Sequence, residues 1–257
     1  NEFLRGCTLR FLCKIAEPEL VEPLVPAIKD CLSHRHRFVR RNGFLAVYAI
    51  AKRSPELFPD AAEVVADFLE KETDEAARRN AFLMLFNCAQ DRAIDFFARH
   101  AEDAESFGEG FSLLLLDLAR RSSKRDADQA LKARFIRPIF SLLDSDSPAV
   151  VFEAASTLTA LSAAPTAVRA AAQAWTGLLR KEADNNVKLV ILERLSELRA
   201  RHARVLRELV LDVLGVLSTQ ATEVREKALS LAMSLASPRN VEGIVVALRK
   251  QLQVTRE

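Results

Sequence analysis

A pattern that returns about every 37 residues constrains this chain more than any other feature. A small or polar stretch leads into an apolar anchor, a cation often follows the anchor, and a small residue comes soon after. It occurs in NEFLRGCT around Leu4, HRFVRRNG around Val39, DEAARRNA around Ala77, SPAVVFEA around Val150, DNNVKLVI around Val187 and ATEVREKA around Val224. The anchors stand 35, 38, 73, 37 and 37 residues apart. The long interval is one skipped unit, because Phe111 in GEGFSLLLL falls near its midpoint.

Between the anchors the apolar spacing is helical throughout. In VLRELVLDVLGVL, steps of three and four place Val205, Leu206, Leu209, Val210, Val213, Leu214 and Leu217 on one broad face. Pro18, Pro55, Pro148, Pro165 and Pro238 mark helix starts, where proline loses no needed N–H donor. The pattern predicts about fourteen helices of roughly 12–17 residues. Two helices per period predict an all-α, right-handed α-solenoid of HEAT or armadillo type. Such a chain has about seven repeats and no sheet, with residues 1–257 forming one solenoid segment. A lone two-helix hairpin cannot bury both of its apolar faces, so each unit must stack on its neighbours. The small residue four positions after the anchor then permits close helix approach. Hydrophobic residues at 49% suit such a core, and no apolar run reaches the roughly 18 residues of a membrane span. The chain opens on Asn1 without a methionine and reads as a piece of something longer.

The cation after each anchor can reach an acid or carbonyl of an adjacent unit. Arg5, Arg40, Arg78, Lys188 and Arg225 are accordingly expected to form a structural ladder. One stretch exceeds that need. SHRHRFVRRN, residues 33–42, holds four arginines and two histidines in a chain of net charge +2. Arg40 belongs to the ladder, which leaves Arg35, Arg37 and Arg41 as surplus cations and candidate partner-binding residues. Cations at a helix start oppose the helix dipole, so folding alone gives no reason to gather them there. An acidic partner surface does.

Catalytic and metal chemistry have little support. Cys31, His34 and His36 lie close together, but a structural zinc site needs a fourth ligand. His100 and His202 stand alone and read as surface or helix-end residues. No GxSxG, P-loop, GxGxxG or HExxH motif occurs. The acidic pairs Glu72/Asp74 and Asp144/Asp146 fall in turns, where they suit the positive end of the following helix. Cys7, Cys13, Cys31 and Cys88 lack CxxC spacing and read as buried free thiols of a reducing compartment. Nucleic acid is disfavoured by the near-balanced charge and by a basic cluster with one aromatic, Phe38, whose place beside the anchor makes it a packing residue. No enzyme activity, cofactor or metal is expected.

NEFLRGCTLRFLCKI, HRHRFVRRN, RRNAFLML, SPAVVFEAASTLTALSAAPTAVRAAAQ and EADNNVKLVILERLSEL together resemble the coatomer β-subunit family, in its adaptin-type trunk. The resemblance runs from Asn1 to about Val254. It departs at Gly43, where a small helix former such as Ala is expected and Gly costs about 1 kcal/mol of propensity. It departs again in the charged stretch ARRSSKRDADQALKARF. The resemblance implies a non-enzymatic scaffold of the COPI vesicle coat acting in Golgi–ER retrograde transport. It implies assembly with the δ, γ and ζ coatomer subunits and recruitment by Arf-family GTPases in the GTP state. It also implies a cytoplasmic location, peripheral on Golgi and COPI vesicle membranes. Helices between Ala149 and Leu198, where the likeness is tightest, are expected to pack against another coat subunit, δ. A solenoid that binds peptides or proteins in nuclear transport, or as a phosphatase scaffold, is the alternative.

Overall fold

The computed structural model describes residues 1–100, 108–125 and 129–254. It contains fifteen α-helices and no strand among those residues. The chain forms two compact units, Asn1–Ser122 and Ser123–Glu257. Each is a stack of helix pairs, the solenoid arrangement expected from the repeat.

The first unit holds α1 (Glu2–Leu12), α2 (Pro18–Val21), α3 (Val25–Leu32), α4 (Arg37–Arg53), α5 (Ala61–Lys71), α6 (Glu75–Cys88), α7 (Gln90–Arg99) and most of α8 (Glu109–Arg125). Helix α4 packs against α1, α3 and α6, and α6 packs against α5 and α7. Phe82, Phe96 and Phe111 meet in the core, with Phe82 and Phe111 centroids 4.7 Å apart. The second unit holds α9 (Gln129–Leu142), α10 (Pro148–Leu161), α11 (Pro165–Lys181), α12 (Asn185–Leu206), α13 (Val210–Leu214), α14 (Thr222–Ser234) and α15 (Val241–Val254). There α10 packs on α9 and α11, α11 on α12, α12 on α14, and α13 on α14 and α15.

The repeat motif has a structural meaning. Each anchor is the third residue of its helix: Leu4 in α1, Val39 in α4, Ala77 in α6, Phe111 in α8, Val150 in α10, Val187 in α12 and Val224 in α14. In five of the seven helices the residue three places earlier is polar and is the N-cap. Side chains of Asn1, His36, Asp74, Ser147 and Asp184 accept hydrogen bonds from first-turn N–H groups that have no partner inside the helix. Val39, Ala77, Val150 and Val224 are fully buried, and so are the small residues four places on, Gly43, Ala81, Ala154 and Ala228. Leu4 and Val187 break the rule by remaining exposed. Their helices carry Thr8 and Ile191 at the small-residue position. Helix α8 fills the same two places with Phe111 and Leu115, both buried.

Other expectations need correction. The apolar stretch 205–217 is not one helix. Helix α12 carries non-helical backbone at His202 (φ −133°), a 3-10 turn spans Arg207–Leu209, and α13 passes into a second 3-10 turn at Gly215–Ser218. The predicted face survives, since Leu206, Leu209, Val210, Val213 and Leu214 are buried. Pro238 lies in the turn before α15 and does not start the helix. Gly43 has a steric cause: a Cβ there would lie 3.2 Å from Leu32 Cδ2 and 3.5 Å from the Cys31 carbonyl, so α4 runs close against the end of α3. The charged stretch 119–135 lies partly outside the described residues.

Candidate functional site

The basic stretch forms the turn between α3 and α4 and the first turns of α4. His34 Nδ1 accepts from the His36 N–H at 3.0 Å, and His36 Nδ1 accepts from the Phe38 N–H at 3.3 Å. Both imidazoles therefore shape backbone, and Cys31 is buried. No group of His, Cys, Asp or Glu side chains placed to hold a metal ion occurs among the described residues. Phe38 packs over Gly6 of α1, where a Cβ would overlap its ring, and lies 5.6 Å from the Phe3 ring.

Arg40 is fully engaged. Its Nε and Nη2 donate to Glu72 Oε2 and Oε1 at 2.8 and 2.9 Å, and its Nη1 donates to the carbonyls of His34 and Arg35. Glu72 has its side chain only 4% exposed. Burial opposes ionisation of Glu72. The Arg40 guanidinium and the N–H groups of Asp74 and Thr73 outweigh that and hold the carboxyl below its usual range. The hydrogen bonds to Glu72 raise the Arg40 guanidinium in turn. One residue on, Arg41 donates from Nε and Nη2 to the two carboxylate oxygens of Asp74, each at 2.6 Å. Asp74 also caps α6 by accepting from the Ala77 N–H. The Arg41 hydrogen bond, more than any other influence, lowers the Asp74 carboxyl. Arg41 was expected to be a surplus cation. It is a ladder residue, because consecutive helical positions point about 100° apart and both of these meet the turn before α6. Buried Asn80 adds a third link by donating to the Arg41 carbonyl at 3.0 Å.

The predicted ladder is not built this way at Arg5, Lys188 or Arg225. Arg78 is half-buried at the equivalent place in α6. Arg5 is exposed, Lys188 is half-buried, and neither makes an ion pair among the described residues. Arg225 donates to Thr222 of its own helix. The reason is visible in the next turn along. The Arg40 link needs a carboxylate two residues before the N-cap of the following repeat, which Glu72 supplies. For Arg5 that place is His34, and for Lys188 it is Thr219. Conversely Glu182 stands at the right place before α12, but α10 carries Val151 where the cation belongs. Links between neighbouring repeats also run through pairs outside the motif, such as Lys29–Asp60 at 2.6 Å and Arg180–Asp212 at 3.1 Å. His100 is a helix end, as expected, but it does not stand alone: it pairs with Glu70 and stacks on Phe96.

The true surplus is Arg35 and Arg37. The Arg35 side chain is 87% exposed and only touches Glu2 at 3.2 Å. Arg37, the first residue of α4, is exposed and makes no ion pair among the described residues. Its charge still helps keep Asp74 ionised. The stretch is also not the one basic cluster of the chain. RARHARVLR, residues 199–207, brings Arg199, Arg201, His202, Arg204 and Arg207 to the end of α12 and the turn after it. The thiols differ from expectation too: Cys31 is buried, but Cys7 and Cys88 are exposed, and all four are free.

The family of the adaptin N terminal region matches residues 1–257. The chain belongs to that family. As an adaptin-type trunk it is 51% identical to the coatomer subunit beta of Pongo abelii, over 98% of this chain and 26% of that protein. It is 46% identical to the same subunit of Drosophila melanogaster, over 99% of this chain and 26% of the relative. With that of Dictyostelium discoideum it shares 42% over its whole length and 28% of the relative. The chain thus spans about a quarter of the length of the curated relatives it matches. These relatives do not favour the transport-receptor or phosphatase-scaffold alternative. A designed armadillo repeat protein aligns over 90% of this chain and 93% of its own at 17% identity, with a TM-score of 0.25, too low to add to the fold argument. No helix among the described residues is long and apolar enough to cross a membrane.

Proposed function

We propose that this adaptin-type trunk segment is a non-enzymatic scaffold of a COPI-type coat that supports Arf-dependent vesicle formation and Golgi–ER retrograde transport. The observation that carries this reading is the likeness to coatomer β subunits over nearly the whole of this chain. In this reading the protein works in the cytoplasm, peripheral on Golgi and vesicle membranes. It assembles with δ, γ and ζ subunits and meets an Arf-family GTPase in the GTP state. The segment Ala149–Leu198 supports a neighbouring subunit, with Val187 and Val190 as exposed apolar contacts on α12. Arg35 and Arg37 present positive charge to an acidic partner surface, and Arg40, held by Glu72, donates to the His34 and Arg35 carbonyls of the turn that carries them.

The test uses the full-length subunit in its assembled complex. Arg35→Glu with Arg37→Glu is expected to leave the melting temperature nearly unchanged, since neither side chain is buried or tightly paired. Recruitment to GTPase-loaded liposomes is expected to fall. Recruitment equal to that of the unaltered complex removes these residues from the function. Absence of δ, γ and ζ subunits from material co-purified with the intact protein removes the coat reading itself.

A further inference from the structure

The second unit carries a groove that the coat reading does not use. It has a volume of about 830 Å³ and lies where the turn after α12 meets the turn before α15. Arg204 and Arg207 reach it from one side and Arg239 from the other, with Ser237 and Asn240 between them. All three arginines are exposed, and none makes an ion pair among the described residues. The only carboxylate in the lining is Glu208, which is already paired with Arg169 at 3.1 Å. Glu242, in the first turn of α15, is exposed nearby in the chain and is not part of the lining.

The groove is rigidly framed. Asn240 donates from Nδ2 to the carbonyls of Arg207 and Leu235, tying the two turns together. Its Oδ1 accepts from the N–H and hydroxyl of Ser237. The arginines are thus set on backbone that is cross-braced at its centre. Like charges gathered beside a single acid that is already paired weaken folding slightly, so folding does not account for the arrangement. Guanidinium groups match carboxylates bidentately. Val210, Pro238 and the half-exposed Leu211 supply apolar wall beside them.

We propose that this groove docks an acidic peptide segment of a partner protein, one that alternates carboxylates with apolar side chains. A concave, partly apolar site suits a peptide better than a flat lipid surface. It offers no aromatic ring on which a nucleic-acid base would stack. The site is separate from Arg35 and Arg37 and stands or falls independently of the coat assignment.

The experiment measures fluorescence anisotropy of a labelled peptide of alternating glutamate and leucine doublets on the full-length protein. Binding is expected to weaken with salt and to weaken at least about tenfold in Arg204→Glu/Arg207→Glu/Arg239→Glu. The milder Arg207→Gln/Arg239→Gln is expected to shift binding in the same direction with an unchanged circular-dichroism melt, which separates lost docking from lost folding. Lys71→Glu/Lys227→Glu, at exposed positions outside both basic surfaces, is expected to bind the peptide like the unaltered protein. Equal loss in that control means only bulk charge is at work and overturns the proposal. So does binding that survives the triple change, or no binding at low salt. Triple-sensitive sedimentation with phosphatidylserine vesicles, without peptide binding, makes the groove a lipid site and also overturns it.

Discussion

Arg40 and Arg41 differ in sequence only by one position, yet the fold gives them different acids. Arg40 meets Glu72, whose side chain is almost wholly buried, while Arg41 meets the N-cap Asp74. Removing one partner of a buried pair leaves an uncompensated charge, so Arg40→Glu is expected to cost about 3 kcal/mol or more. Both carboxyls are depressed below their ordinary values of 4.5 and 3.8. A depressed carboxylate adds stability that is complete above its unfolded pKa and is lost as pH falls through the folded value. Chemical denaturation of Glu72→Gln/Asp74→Asn is therefore expected to show a deficit at neutral pH that shrinks below about pH 4. A deficit that stays constant down to pH 3 refutes this account. At this scale the sequence was half legible. The cation was visible because it sits inside the local motif. Its acid was not, because it lies 32 residues away and only some repeats supply one. Arg204 and Arg207 are inconspicuous in the sequence for a related reason: they are spaced through an apolar stretch, and Arg239 joins them only through the fold.

Helices were far more legible than their partners, because a cap and an anchor are three residues apart and act within one turn. Asn1, His36, Asp74, Ser147 and Asp184 cap five helices from places the repeat had already marked as polar. Burial of the anchor depends on the neighbouring helix and was not uniform. Val39 is completely buried, whereas Val187 at the same helical position is 39% exposed. Val39→Ala is expected to destabilise by about 2 kcal/mol through lost burial. Val187→Ala is expected to stay within about 0.5 kcal/mol, as surface changes do. Equal losses in urea titrations refute the inference that only some anchors serve the core. The same contrast explains where the helix pattern misled. Apolar spacing through 205–217 reports a buried face, and a face can be kept across 3-10 turns that periodicity does not reveal.

A chain of stacked repeats distributes its stability through nearest neighbours, and this sets how far a local change travels. The links found here join successive repeats: Glu2 to Arg35, Lys29 to Asp60, Arg40 to Glu72, Arg169 to Glu208 and Arg180 to Asp212. Each of these pairs lies within one unit. Loss of the Arg40–Glu72 pair therefore has a short reach. Amide exchange in Arg40→Glu is expected to quicken in α4 and α6, where the pair is anchored, and in α1 and α3, which pack on α4. Protection in α10, α11, α12 and α14 is expected to remain at its original level under native conditions. Quickened exchange across both units refutes nearest-neighbour stability and makes the whole chain one cooperative body. The local outcome also bears on the two basic surfaces. If opening stays within one unit, the Arg35/Arg37 turn and the Arg204/Arg207/Arg239 groove are presented by structures that hold their shape independently, and a partner at one does not require the other to be folded.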